Sequence, residues 1–262
     1  MTARYVTAAV ARELAEQLSE RDLAITRRVL DLRFVSCSQL ARLHFAEADS
    51  RAARRTLQRL TRQDVLERLP RVVGGVRAGS AGYVYRLGLA GQRLALELDW
   101  LPDRRRRRAR VPGNLFVNHA LQVAELHTLL IEADRARQVE LLELIAEPAC
   151  WRSYGGVGAQ RDATLKPDSF VRLGAGEFED SYFIEVDMGT EGSRAVDRQL
   201  RAYVAYQGSG KEQAERGVFP KTLWLAPDSG RVSVLEGCVR RLPRSARELF
   251  QVAPFTAAIQ SL

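Results

Sequence analysis

Three short stretches hold side chains that could do chemistry together: Lys166-Pro167-Asp168, Glu185-Val186-Asp187, and Gln199 with Tyr203. Asp168 opens one apolar run and Glu185 closes the next, so the two carboxylates could meet at one edge of a sheet. Glu185 and Asp187 are two apart, which turns both to the same face of an extended segment. Glu185 also lies inside an apolar run, where an unpaired carboxylate is costly. Hydrolysis of a phosphodiester calls for a divalent cation that polarises the phosphate and lowers the pKa of the attacking water. Mg²⁺ takes hard oxygen ligands, typically one or two carboxylates plus water. Asp168, Glu185 and Asp187 are therefore candidate ligands for Mg²⁺ or Mn²⁺, and no small-molecule substrate is inferred. The plainer alternative is that these acids cap turns, since Asp after Pro at the head of a strand is common.

The elements that would position them read as follows. A long helix capped by Asn118 runs to about 135, with Gln122, Glu125, Thr128 and Glu132 on its polar face. His119 and His127 lie on it as surface or half-buried residues rather than ligands. Strands are expected over 139–146, 168–173, 182–186 and 222–226, with a last edge strand at 250–255 limited by Pro254. A Gly-rich loop is expected over 152–164 and a helix over 194–207. Residues 229–241 are ambiguous, with a helix favoured. Residues 114–262 thus form an α/β core of mixed sheet flanked by helices.

Residues 1–100 read differently. Residues 1–18 form a helix or a frayed arm. Ser19 caps a helix over 22–33, Ser38 a short one over 39–45, and Asp49 or Ser50 a third that ends near 61. On the third helix Ala53, Leu57 and Leu60 should face inward, leaving Arg51, Arg54, Arg55, Gln58, Arg59 and Arg62 outside. A strand at 65–73, a turn-rich tip at 74–82 carrying Arg77, and a returning strand at 83–87 follow. A helix over 91–99 closes the unit. Helices followed by a hairpin describe an α+β winged helix-turn-helix, with the third helix placed to enter a major groove. Residues 101–113 are a linker. Its run Arg104, Arg105, Arg106, Arg107 and Arg108, with Arg110 after it, cannot pack in a core and would hold phosphates without reading sequence.

Charge supports that division. Residues 1–112 carry 23 Arg, no Lys and 12 acids, a net of +11, whereas 113–262 carry 17 basic and 20 acidic residues, a net of −3. A domain that basic is commonly a nucleic-acid binder, and with the winged helix-turn-helix it makes double-stranded DNA the expected partner. Arg outnumbers Lys 37 to 3, so a compositional bias of the source is the competing explanation. The three cysteines, Cys37, Cys150 and Cys238, are far apart and never spaced C-x-x-C, which argues against zinc or disulfides and fits a reducing cytoplasm. No signal peptide and no membrane-spanning apolar run is expected. A homodimer is the geometry many winged helices use on DNA.

Pro167-Asp168 followed by Glu185-Val186-Asp187 resembles the PD-(D/E)xK nuclease core, and Gln199-x-x-x-Tyr203 resembles the QxxxY element of its RecB-like members. The order of these motifs behind a winged helix more specifically resembles the replication-relaxation family of plasmids and mobile elements, over about 19–226. MobC-type plasmid relaxases, which nick DNA at a transfer origin, are similar in plan. The resemblance implies Asp168, Glu185 and the Val186 carbonyl as metal ligands, and Glu125 as the acid supplied by the first core helix. Gln199 and Tyr203 would orient the site or touch DNA. The departure is Asp187, where the nuclease pattern has Lys. Lys166, Arg194 and Arg198 are candidate substitutes, although Arg is a poor general base. The resemblance thus implies a metal-dependent DNA nickase or endonuclease. The alternative is a DNA-binding regulator or accessory replication protein whose nuclease-like domain no longer cuts.

Overall fold

The computed structural model describes residues 6–46, 50–69, 82–101, 113–155 and 163–262. Their contacts fall into two compact units that divide between Thr128 and Leu129. The first unit runs α1 (Ala8–Gln17), α2 (Glu20–Leu32), β1 (Val35–Ser36), α3 (Cys37–His44), α4 (Ser50–Arg62), β2 (Leu66–Arg68), β3 (Val84–Leu87) and α5 (Leu89–Glu97). The long helix α6 (Asn114–Arg135) begins in it. The three strands form an antiparallel sheet in the order β1-β3-β2.

Local chemistry explains most of these boundaries. Ser19 caps α2, and Asp22 at the third helical position returns the bond to the Ser19 N–H, a complete capping box. The cap of α3 is Ser36 rather than Ser38, because Gln39 stands three residues after Ser36 and reciprocates. Residues 1–18 do contain a helix, α1, capped by Thr7. In α4 the periodicity holds: Ala53, Leu57 and Leu60 are buried, and Arg51, Arg54, Arg55, Gln58, Arg59 and Arg62 are exposed. The long helix starts at Asn114, one turn before the expected Asn118. That extra turn, and the placement of the unit boundary inside α6 rather than in the Arg-rich stretch, have one cause. Val117 and Ala120 pack against Phe34 and Leu69 of the first unit.

The second unit comprises the end of α6, then β4 (Glu140–Ala146), β5 (Arg152–Tyr154), β6 (Ala163–Leu165), β7 (Ser169–Ala175), β8 (Phe178–Val186), α7 (Ser193–Gly208), α8 (Lys211–Arg216), β9 (Lys221–Ala226), α9 (Ser229–Arg240), α10 (Arg244–Arg247) and β10 (Phe250–Pro254). A five-stranded mixed sheet has the order β10-β9-β8-β7-β4. Pairing is antiparallel from β4 to β8 and parallel from β8 to β10. The connection from β8 to β9 through α7 is what a parallel neighbour requires. Residues 152–154 and 163–165 form a two-stranded hairpin where a loop was expected. Leu165 is buried there against Phe170, Phe183 and Tyr206, apolar contact that the Gly-rich composition concealed.

The core under α7 is aromatic. The Phe183 ring lies 5.7 Å from Phe170 and 5.9 Å from Tyr203, and all three are essentially inaccessible. Each such burial stabilises by about 1.5–3 kcal/mol, so α7 is held firmly on β8. No helix among the described residues is long and apolar enough to cross a membrane.

Candidate functional site

The site is built where β7 begins and β8 ends. The Asp168 N–H donates to the Ile184 carbonyl (3.1 Å), and Asp168 Oδ2 accepts from the Val186 N–H (2.8 Å). These bonds lock the Asp168 carboxylate to the last residues of β8, beside Glu185. Both acids are buried, with 9% and 5% of their surface exposed. Below them the Cys150 thiol donates to the Pro167 carbonyl (3.0 Å), fixing the turn that presents Asp168. Burial raises the Cys150 pKa above that of an ordinary thiol.

Two residues of α7 hold Glu185. Gln199 Nε2 donates to Oε2 (2.7 Å), and the Tyr203 hydroxyl donates to Oε1. Gln199 and Tyr203 are four apart, so one helix face delivers both donors. Burial pushes the Glu185 carboxyl well above its usual range, the Asp168 charge pushes it further, and Glu191 adds to this. The hydrogen bonds from Tyr203 and Gln199 oppose that shift without cancelling it. Tyr203 is itself raised by burial and by Glu185, so it remains a donor.

Asp187 is turned to a different partner. Arg231, in the first turn of α9, donates from Nε to Oδ1 (2.9 Å) and from Nη2 to Oδ2 (2.7 Å). Oδ1 also accepts from the Gly189 N–H (2.6 Å), in a turn whose φ of 71° favours glycine. Sequence reasoning did not single out Arg231. The only signal was Asp228 as a helix cap with an Arg three residues on, which many helices share.

A divalent cation can be tested against this donor set. Asp168 and Glu185 supply hard oxygens side by side, and their mutual repulsion is the condition a cation relieves. Each Glu185 oxygen accepts one hydrogen bond and keeps a second lone-pair direction. The pair fits Mg²⁺ or Mn²⁺ as a two-carboxylate site completed by water. Among the described residues no group of three or more His, Cys, Asp or Glu side chains is placed to hold a metal.

The other expected residues lie as follows. The Lys166 ammonium sits 4.8 Å from the centre of the Trp151 ring, and Arg194 and Arg198 are exposed on α7. Glu125 accepts from Arg42 of α3 and from Gln39 Nε2 (2.9 Å), which ties α3 to α6 within the first unit. On α4, Arg59 reaches the buried Asp22 of α2 (2.6 Å). Arg77 and Arg104, Arg105, Arg106, Arg107 and Arg108 lie outside the described residues.

The sequence pattern of the replication-relaxation family matches residues 27–222. No curated protein matches the chain. Among solved structures, that of the restriction endonuclease FokI is similar at 10% identity and a TM-score of 0.28, over 93% of this chain and 44% of that one. A TM-score that low does not establish a shared fold, and the chain spans less than half of that enzyme.

Proposed function

The chain belongs to the replication-relaxation family, and on that premise we propose that it binds double-stranded DNA and nicks it with the help of Mg²⁺ or Mn²⁺, in the manner of a relaxase or endonuclease. The observation that carries this reading is the buried Asp168–Glu185 pair where the inner strand β7 begins beside the end of the inner strand β8, with Glu185 held by Gln199 and Tyr203. Asp168 and Glu185 would hold the ion, which supplies Lewis acidity and an activated water when bound. Asp168 is kept in place by the Val186 N–H, so the carboxylate need not reorganise on loading. Gln199 and Tyr203 fix the rotamer of Glu185 beside Asp168.

The first unit would supply the contacts to DNA. We read its helices and β1-β3-β2 sheet as a winged helix-turn-helix, supported by the exposed row Arg51, Arg54, Arg55, Gln58 and Arg62 on α4. Arg and Gln are suited to phosphate oxygens and base edges respectively.

One observation favours a second reading. The position where the nuclease pattern has a lysine is Asp187, and it is neutralised by Arg231 rather than offering a free ammonium. In that reading the protein is a DNA-binding regulator or accessory replication factor without cleavage. A supercoiled plasmid incubated with the full chain and Mg²⁺ or Mn²⁺ separates the two. Nicking by the parent and its loss in Glu185→Ala is expected. No nicking overturns cleavage and leaves the regulator, and equal nicking by Glu185→Ala overturns the assignment of cleavage to this pair.

A further inference from the structure

We propose that Arg231, from α9, binds a phosphate beside the Asp168–Glu185 pair through the N–H groups that Asp187 leaves unused. The inference rests on the phosphodiester-cleaving reading of that pair. It also goes beyond the family match, which ends at residue 222.

The geometry is specific. Asp187 takes Nε–H and one Nη2–H of Arg231 in a fork, at 2.9 and 2.7 Å. A guanidinium has five donor hydrogens, so both on Nη1 and the second on Nη2 remain for another oxygen ligand. Arg231 keeps 12% of its side chain exposed, so part of the guanidinium reaches the surface. The fork removes the rotamer freedom that a surface arginine would lose on binding, and a planar guanidinium matches a phosphate better than an ammonium does. Asp187 follows Glu185 by two residues, one past the end of β8, so Arg231 is anchored just beyond the metal-fitting pair.

Arginine cannot take a proton from water at neutral pH, so Arg231 is not a general base. Its role is to hold the phosphate and to stabilise the negative charge that develops on it. A purely structural ion pair would make Asp187 and Arg231 equally important. A phosphate contact makes them unequal, because Asp187→Asn leaves the cation in place.

The test uses the full chain as parent, Arg231→Ala, Arg231→Lys and Asp187→Asn. It reads nicking kcat and KM, duplex affinity in EDTA over a range of salt, and melting temperature. Arg231→Ala should lower kcat on the order of 100-fold. It should also reduce the slope of log affinity against log salt by about 0.9, one phosphate contact. Arg231→Lys should recover part of kcat and the whole slope, and Asp187→Asn should keep the slope. Unchanged kcat and slope in Arg231→Ala would overturn the proposal, as would equal losses in Asp187→Asn and Arg231→Ala. If the parent does not nick, the cleavage reading fails by itself and the salt slope alone decides for or against Arg231. Should Arg231→Ala not fold, Arg231→Gln takes its place: a slope retained by Lys and lost by Gln supports the contact, and a slope retained by both overturns it.

Discussion

Glu185 occupies a place that favours its neutral form. Burial and the charge on Asp168 hold its carboxyl well above the ordinary carboxylate value. Between the unfolded value and that raised value the folded chain keeps a proton that the unfolded chain has released, so stability falls as pH rises through this window. Glu185→Gln removes the titration, and the Gln199 amide can rotate to offer its oxygen to the new amide. In EDTA the variant should melt a few degrees higher than the parent at pH 8, with the gap closing toward pH 5. Thermal melts at the two pH values check this, and a variant no more stable at pH 8 would contradict the burial argument. Tyr203 and Gln199 set the position of this carboxylate, so Gln199→Ala should weaken Mn²⁺ binding about 10- to 100-fold while leaving the fold intact. Calorimetric titration with Mn²⁺ measures it; unchanged affinity would mean that Gln199 has no part in presenting Glu185.

On the proposed reading helix α4 would have two jobs, DNA contact and support of α2. Arg55 projects to solvent, whereas Arg59 neutralises Asp22, which is 3% exposed at the start of α2. Asp22 also serves the Ser19 cap, so losing Arg59 leaves it partly satisfied. Arg59→Ala should therefore cost about 1–2 kcal/mol of stability as well as DNA affinity, and Arg55→Ala should cost affinity only. Denaturant melts beside electrophoretic shifts distinguish them, and equal stability of the two variants would refute the assignment. The sequence made this helix legible because its apolar positions keep a strict helical period. It made β8 legible because Tyr182, Phe183 and Ile184 form an apolar run that ends in an acid. It hid the hairpin of β5 and β6, whose burial comes from distant aromatic residues, and it hid Arg231. That residue meets Asp187 across 44 positions, a contact set by packing rather than by any local pattern. The cap at Ser36 was legible in principle, since the Gln three residues later is the capping-box signature.

Across the whole chain, charge is divided much as function is proposed to be. Residues 1–112 have a net charge of +11, and the carboxylate pair belongs to a stretch with a net of −3. A basic unit concentrates DNA, while a neutral-to-acidic unit can hold a cation without drawing phosphates over its whole surface. Replacing Arg104, Arg105, Arg106, Arg107 and Arg108 by Ala should flatten the salt dependence of duplex binding by up to about 4–5 in log–log slope. Anisotropy titrations at several salt concentrations report it, and an unchanged slope would remove that run from the DNA contact. The most direct measurement is Mn²⁺ binding to the full chain, followed by electron paramagnetic resonance. One ion per chain, lost in both Asp168→Asn and Glu185→Gln while the melting transition persists, is the expected result. No bound ion, or binding that neither substitution weakens, would contradict a metal site at the Asp168–Glu185 pair.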